Sequence, residues 1–272
     1  MSNRFVDSVV TTADPPPSGV PNPIHATDGA DAAGYAGALV AGVRTYGWLV
    51  DTVLKALGEN WLNNGWIDYS LRRPLYAGEV LEIVVEHVDG TWLITCSAGD
   101  EKRTVLDGTA GLGNAPWLGE LEPPKSTAPL DKRESLPGYD LDNVPIRQPL
   151  NPLKVYVSSD TAKKMVAEDL GLNTARYLDS KTPAPIHPYF LAGRIAPLTR
   201  HNFVYGPTIH VRSQIQHRRE ALADQEITVG AQIVDAYEKK DNWYQVLDGT
   251  VTDSAGEIAL IRHHTIFRPR GT

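Results

Sequence analysis

Residues 21–25 read Pro-Asn-Pro-Ile-His, and residues 183–187 read Pro-Ala-Pro-Ile-His. The repeat divides a chain of 272 residues into two parts of domain size. Each copy ends on histidine, the side chain best placed to move protons near neutral pH. The residues downstream of each copy decide whether the chain is duplicated. After the first copy, a small-residue run from Gly29 to Gly42 leads into Val43, Tyr46, Val50, Val53, Leu54 and Leu57 at helical spacing. Arg44, Asp51 and Lys55 take the opposite face. Gly58 is a natural stop, so the spacing predicts a helix over 41–57. Four strand-like segments come next, Trp66–Leu71, Val80–His87, Thr91–Ser97 and Arg103–Leu112, with hairpin chemistry at Asp89-Gly90. The pattern is a long helix and then an antiparallel meander.

Residues 113–152 carry Pro116, Pro123, Pro124, Pro129, Pro137, Pro145, Pro149 and Pro152. Prolines at that density exclude a regular helix or central strand, and the segment reads as an extended linker lying over the surface. The second half opens with a strand at Lys154–Val157. Ser158 or Ser159 then caps a helix through Leu170, which Gly171 ends. After the second pentapeptide the helical pattern is broken, leaving a short helix near 189–203. Strands return at Thr208–Gln216, Glu226–Glu238, Trp243–Thr252 and Glu257–Arg268. Ile209, Val211, Ser213 and Ile215 alternate with polar residues, as a half-buried strand requires.

Val-Leu-Asp-Gly-Thr occurs at 105–109 and again at 246–250, but aligning the halves on it pairs a fourth strand with a third. Trp92 with Trp243, and Ser97-Ala98-Gly99-Asp100 with Ser254-Ala255-Gly256-Glu257, match strand for strand instead. The expected organisation is therefore 1–112, a linker 113–152, and a degenerate second copy 153–272.

Hydrophobic content of 42% supplies a real core, and a net charge of −7 argues against a nucleic-acid partner. No apolar stretch near the N-terminus reaches the roughly 20 residues a membrane span needs. Met1 to Asp14 lacks the secretory pattern. Cys96 is the only cysteine, so neither an internal disulfide nor a thiolate metal cluster is expected. These features read as a cytoplasmic protein without a metal.

Around His25 the chain resembles the MaoC-like (R)-specific enoyl-CoA hydratase and acyl dehydratase family. Gly19-Val20-Pro21-Asn22-Pro23-Ile24-His25 matches the family's Gly-Asp-x-Asn-Pro-Ile-His pattern except at Val20. Gly34-Tyr35-Ala36-Gly37 through Gly42 matches its glycine-rich turn into the central helix. Arg72-Arg73-Pro74-Leu75-Tyr76-Ala77-Gly78-Glu79 matches its later Arg-Arg-Pro patch. The resemblance implies an α+β double hotdog, two meanders forming one continuous sheet around the 41–57 helix. It implies an acyl-CoA or carrier-bound acyl thioester as substrate, with no cofactor beyond that thioester, and leaves room for a homo-oligomer through the sheet edges.

Carried over, the site residues are His25, Asn22 and the helix-start Gly42, whose N–H would face an enolate oxygen. The family's aspartate is replaced by Val20, and the second copy has Thr182 there. Three readings stay open. Asp28 or Asp31 takes the acid's role, His25 acts alone in one-base lyase or isomerase chemistry, or the site binds a thioester without turning it over. An acyl-CoA thioesterase and a non-catalytic binding module are the alternatives to a hydro-lyase. Arg72 and Arg73 suit a CoA phosphate or a solvated strand end. Tyr46, with Trp48 and Trp61, packs the core or lines an acyl pocket. His187, His210, His217, His263 and His264 read as structural.

Overall fold

The computed structural model of the chain describes residues 3–15, 22–32, 34–130, 135–204 and 206–271. Among these lie ten strands: β1 (Arg4–Val10), β2 (Gly65–Leu71), β3 (Val80–Val88), β4 (Thr91–Ala98), β5 (Arg103–Leu112), β6 (Leu153–Val157), β7 (Ile209–His217), β8 (Gln225–Lys239), β9 (Asn242–Asp253) and β10 (Gly256–Arg268). The helices are α1 (Thr27–Ala32), α2 (Gly42–Leu57), α3 (Trp61–Asn64), α4 (Ser159–Lys164), α5 (Ala175–Leu178), α6 (Pro188–Ala192) and α7 (Ile195–Asn202).

All ten strands form one antiparallel sheet in the order β1-β3-β4-β5-β2-β7-β10-β9-β8-β6. The order is a mirror image about the β2–β7 junction, where Ile67 pairs with Ile215 and Tyr69 with Ser213. Residues 105–109 lie in β5 and 246–250 in β9, which are not mirror partners, so the Val-Leu-Asp-Gly-Thr register is absent. Two expectations need correction. The sequence pattern does not announce β1. It is an edge strand whose residues alternate only between exposed and half-buried, which blunts its hydrophobic pattern. And β2 does not head a meander, because the eight residues between it and β3 are too many for a tight hairpin. They cross over instead, and β2 pairs with β5 and β7.

The helix α2 begins and ends as its sequence predicts. Gly58, at φ +80°, donates its N–H to Leu54 O. Its polar face is only partly solvated, however. Arg44 is only 3% exposed, since its guanidinium donates to Asp14, to Thr12 O and to Asp169 O. Asp51 accepts from Thr174 Oγ1 at 2.6 Å, and Lys55 pairs with Asp7. Thus β1, the segment after it, and residues from the second half cover the Arg44 end of the face that a lone amphipathic helix would leave in water, while Lys55 stays exposed. The apolar face joins one cluster spanning both halves, including Leu49, Val53, Ile67, Ile83, Ile215 and Leu247.

In the second half, Ser158 caps α4 by accepting from the N–H of Thr161, and the expected helix to Leu170 continues as a π turn over Met165–Asp169. Among its described residues, the proline-rich segment is irregular apart from a 3-10 turn at Leu118–Glu120. It is tied to the sheet where the N–H of Glu122 donates to the buried carboxylate of Asp248, which also holds Arg262.

Candidate active site

The two halves meet around a cavity of about 260 Å³ at the start of α2. From the first half it takes the loop of Asn22, Ile24 and His25, the turn at Leu39–Val43, and Leu71–Leu75. The second half contributes Ala192, Gly193 and Ala196 around the α6–α7 junction, with Thr208–Val211 on β7 and His263 and Thr265 on β10.

Pro23–His25 form a single 3-10 turn. Asn22 fastens it to the other half by donating Nδ2 to Thr208 O at 2.8 Å and accepting the Thr208 N–H at 3.1 Å. Asn22 therefore positions the loop rather than reacting. His25 Nδ1 lies 2.7 Å from Leu39 O and 3.0 Å from a carboxylate oxygen of Asp14. Both neighbours are acceptors, so Nδ1 carries a hydrogen, and the tautomer this selects has its lone pair on Nε2. With a side chain 28% exposed and lining the cavity, His25 is placed as a base.

Asp14 is the carboxylate that sequence reasoning missed. Its oxygens accept from the N–H of Ala41 at 3.1 and 3.2 Å and from Arg44 at 2.9 Å, besides meeting His25. Ala41 is the residue just before α2, so the charge also sits at the positive end of the helix dipole. Held by these three donors, Asp14 is placed to orient His25 and to steady an imidazolium. Nothing local in the sequence marks it. It stands 27 residues from Ala41, before a run of prolines.

Asp28 and Asp31, expected as replacement acids, are exposed on or beside α1, and neither lines the cavity. Val20, where the family pattern has aspartate, lies outside the described residues. Gly42 is the first residue of α2 and lines the cavity. The N–H groups opening a helix have no intrahelical acceptor, and that of Gly42 has none among the described residues. A Cβ there would collide with Leu71 Cδ1 and stand 2.8 Å from His210 Nδ1, so a larger residue would push both side chains aside.

Arg72 and Arg73 both line the cavity mouth and are exposed. Arg72 is taken up by Asp107 at 2.8 Å, whereas Arg73 has no acidic partner among the described residues. Tyr46 is no part of the lining. It is fully buried, stacked on Tyr69 at 5.3 Å between centroids. Burial raises its hydroxyl pKa well above the ordinary value, and its role is core packing.

No group of metal-ligating side chains occurs among the described residues, and no helix among them is long and apolar enough to cross a membrane. No family model and no curated relative matches the chain. Solved structures do. A protein assigned as a MaoC-domain dehydratase from Chloroflexus aurantiacus J-10-fl superposes with a TM-score of 0.64 at 12% identity, covering 99% of this chain and 95% of that one. A double-hotdog protein from Mycobacterium tuberculosis gives 0.59 at 14% identity, covering 91% and 86%. A protein assigned as an oleoyl thioesterase from Lactobacillus plantarum gives 0.52 at 9% identity, covering 99% and 98%. At these identities the likeness establishes the double-hotdog fold and leaves the reaction to the site.

Proposed function

We propose that the protein is a hydro-lyase acting on the enoyl or 3-hydroxyacyl group of a CoA or carrier-bound thioester. The observation that carries this reading is the contact between His25 Nδ1 and Asp14, beside a cavity also lined by Gly42, whose N–H has no acceptor among the described residues. Hydration needs a base for water, a proton for the α carbon and a donor for the enolate oxygen. In one-base form, His25 Nε2 takes a proton from water as the water oxygen bonds to the β carbon. The double-bond electrons move onto the thioester oxygen, held by Gly42 N–H. His25 then returns the proton to the α carbon as the carbonyl re-forms. Dehydration is the reverse. Asp14 steadies the imidazolium between the two transfers, the part the family's aspartate cannot play here. Arg73 at the mouth suits a CoA phosphate.

The test is turnover of a panel of enoyl- and 3-hydroxyacyl-CoAs, monitored by loss of the conjugated-thioester absorbance and by thiol release. Hydration that disappears in His25→Ala supports the reading. Thiol release from saturated acyl-CoAs without any hydration, or an inert wild type, overturns it.

A further inference from the structure

The second half brings its own polar cluster to the same cavity. On β7 and β10, His210 Nε2 lies 2.8 Å from Ser213 Oγ, which lies 2.8 Å from His263 Nδ1. The two imidazoles stand 4.2 Å apart, and His210 also packs edge-on against Tyr69. Simple alternation would send residues 210 and 213 to opposite faces of β7. A bulge prevents this: His264 pairs with Arg212 and Thr265 with His210, so Val211 is left as the extra residue. Bulges recur beside functional sites, where they re-aim a side chain. This one turns His210 onto the face of Ser213 and His263, toward the cavity.

The remaining ring nitrogen of His210, Nδ1, is shielded from solvent and has no partner among the described residues. It stands 2.8 Å from where a Cβ on Gly42 would be, so the ring packs against that residue. A buried polar atom left without a partner is costly, and this one belongs to a residue that lines the cavity beside Gly42.

Proton bookkeeping limits what His210 can do. Burial pushes its pKa down to about 3, and burial likewise holds His263 well below the ordinary value and His264 at about 4. The surrounding imidazoles are therefore neutral at pH 7, and His210 is no source of a free proton. Ser213 has one hydroxyl hydrogen and two lone pairs, so when it donates to one imidazole it can accept from the other. Two such forms interchange by shifting protons along the His263–Ser213–His210 chain. With His263 donating to Ser213 and Ser213 to His210 Nε2, His210 Nδ1 carries a hydrogen. A carbonyl oxygen in the cavity selects that form.

We infer that His210 is a second oxyanion donor, its Nδ1–H and the Gly42 N–H converging on the thioester oxygen of the substrate. The inference rests on the proposed acyl-thioester reading of the site. A neutral imidazole is a suitable electrophile at a carbonyl, and it joins a site whose base comes from the other half of the chain. Ser213 and His263 act as positioning residues that set the tautomer.

The experiment pairs kinetics with isotope-edited infrared spectra of bound butyryl-CoA, labelled with ¹³C at the carbonyl. This saturated ester cannot be hydrated. In the wild type the bound carbonyl stretch is expected to move to lower frequency than in solution. His210→Gln, which keeps a group near Nε2 but none at Nδ1, should abolish most of that shift. It should also lower kcat on crotonyl-CoA about 10²- to 10³-fold with KM little changed, the size of effect expected for one oxyanion donor. His210→Asn, whose amide nitrogen stands near Nδ1, should restore most of both. If His210→Gln retains the shift, or turns over within about 3-fold of wild type, the assignment fails while the hydro-lyase reading stands. If the wild type hydrates nothing yet shows a carbonyl shift that depends on His210, the hydro-lyase reading fails and the donor assignment stands. Absence of any shift in the wild type overturns the assignment, whether or not His210→Gln folds.

Discussion

His25 and His187 close the same pentapeptide and end in opposite states. In the first copy, residues 26–41 stand between the histidine and the long helix, so His25 lies beside the helix start with a cavity in front of it. In the second copy Pro188 starts α6 at once, and His187 becomes the cap of that five-residue helix. Its Nδ1 accepts the N–H of Tyr189 at 3.3 Å, its Nε2 has no partner among the described residues, and it is 1% exposed. Burial, reinforced by the charge of Arg176, pushes its pKa down to about 3. The motif alone therefore does not make a site. A site arises where the inserted turn opens a cavity and a carboxylate arrives from elsewhere in the chain.

The largest effect should come from the active copy. His25→Ala is expected to lower kcat/KM on enoyl-CoAs about 10³-fold, within the range for loss of a general base, while thermal unfolding changes little because the ring is partly exposed. Equal activity in mutant and wild type would remove the functional contrast between the copies. Next is Asp14→Asn, which keeps the shape but weakens the acceptor that fixes His25 Nδ1–H. A fall on the order of 10²-fold is expected, carried by kcat with KM retained, as for a group that orients a catalytic imidazole. A loss carried by KM alone would show that Asp14 only holds the pocket together.

Much of this contrast is legible in the sequence, and the rest is not, for definable reasons. The duplicated strand order and α2 are legible because alternation and helical spacing are local. So is the single long helix of the first copy, where the second divides a similar helical content among short pieces. Asp14 is not, because its partners Ala41 and Arg44 lie 27 and 30 residues away and nothing in its surroundings marks it as polar core. Arg44 reads as solvent-facing because the cover over α2 comes from β1, itself a weakly patterned edge, and from the second half. His210 reads as structural because the alternation of Ile209, Val211, Ser213 and Ile215 hides a bulge at Val211. Asp28 and Asp31 draw notice through closeness to His25 in sequence, but α1 presents them to solvent.

A smaller effect tests the mouth of the active copy. Arg73 is exposed and without an acidic partner among the described residues, while Arg72 is engaged by Asp107. Arg73→Ala should raise KM for CoA esters about 2- to 5-fold, as expected for a screened surface contact. KM for an N-acetylcysteamine thioester, which has no phosphate, should stay unchanged. An equal rise for both substrates would assign Arg73 to the acyl site instead.

The smallest effect on turnover belongs to the closed copy, and its signature is in stability rather than rate. His187→Phe should leave kcat/KM within about 2-fold, since His187 does not line the cavity. Its depressed pKa carries a definite sign. Above about pH 6.5 the imidazole is neutral in both folded and unfolded chains and contributes no pH dependence. Below that, the unfolded chain binds a proton that the folded chain refuses until about pH 3. Each such histidine therefore lowers stability by about 1.4 kcal/mol per pH unit across that window. His210, His217, His263 and His264 are depressed in the same sense, so stability should fall steeply as pH drops below about 6. Urea unfolding measured between pH 7 and pH 5 should show His187→Phe taking up about one proton fewer than wild type on unfolding at the acid end. An unchanged slope would mean that His187 titrates in the folded protein, and that the second copy is more open than its capped helix indicates.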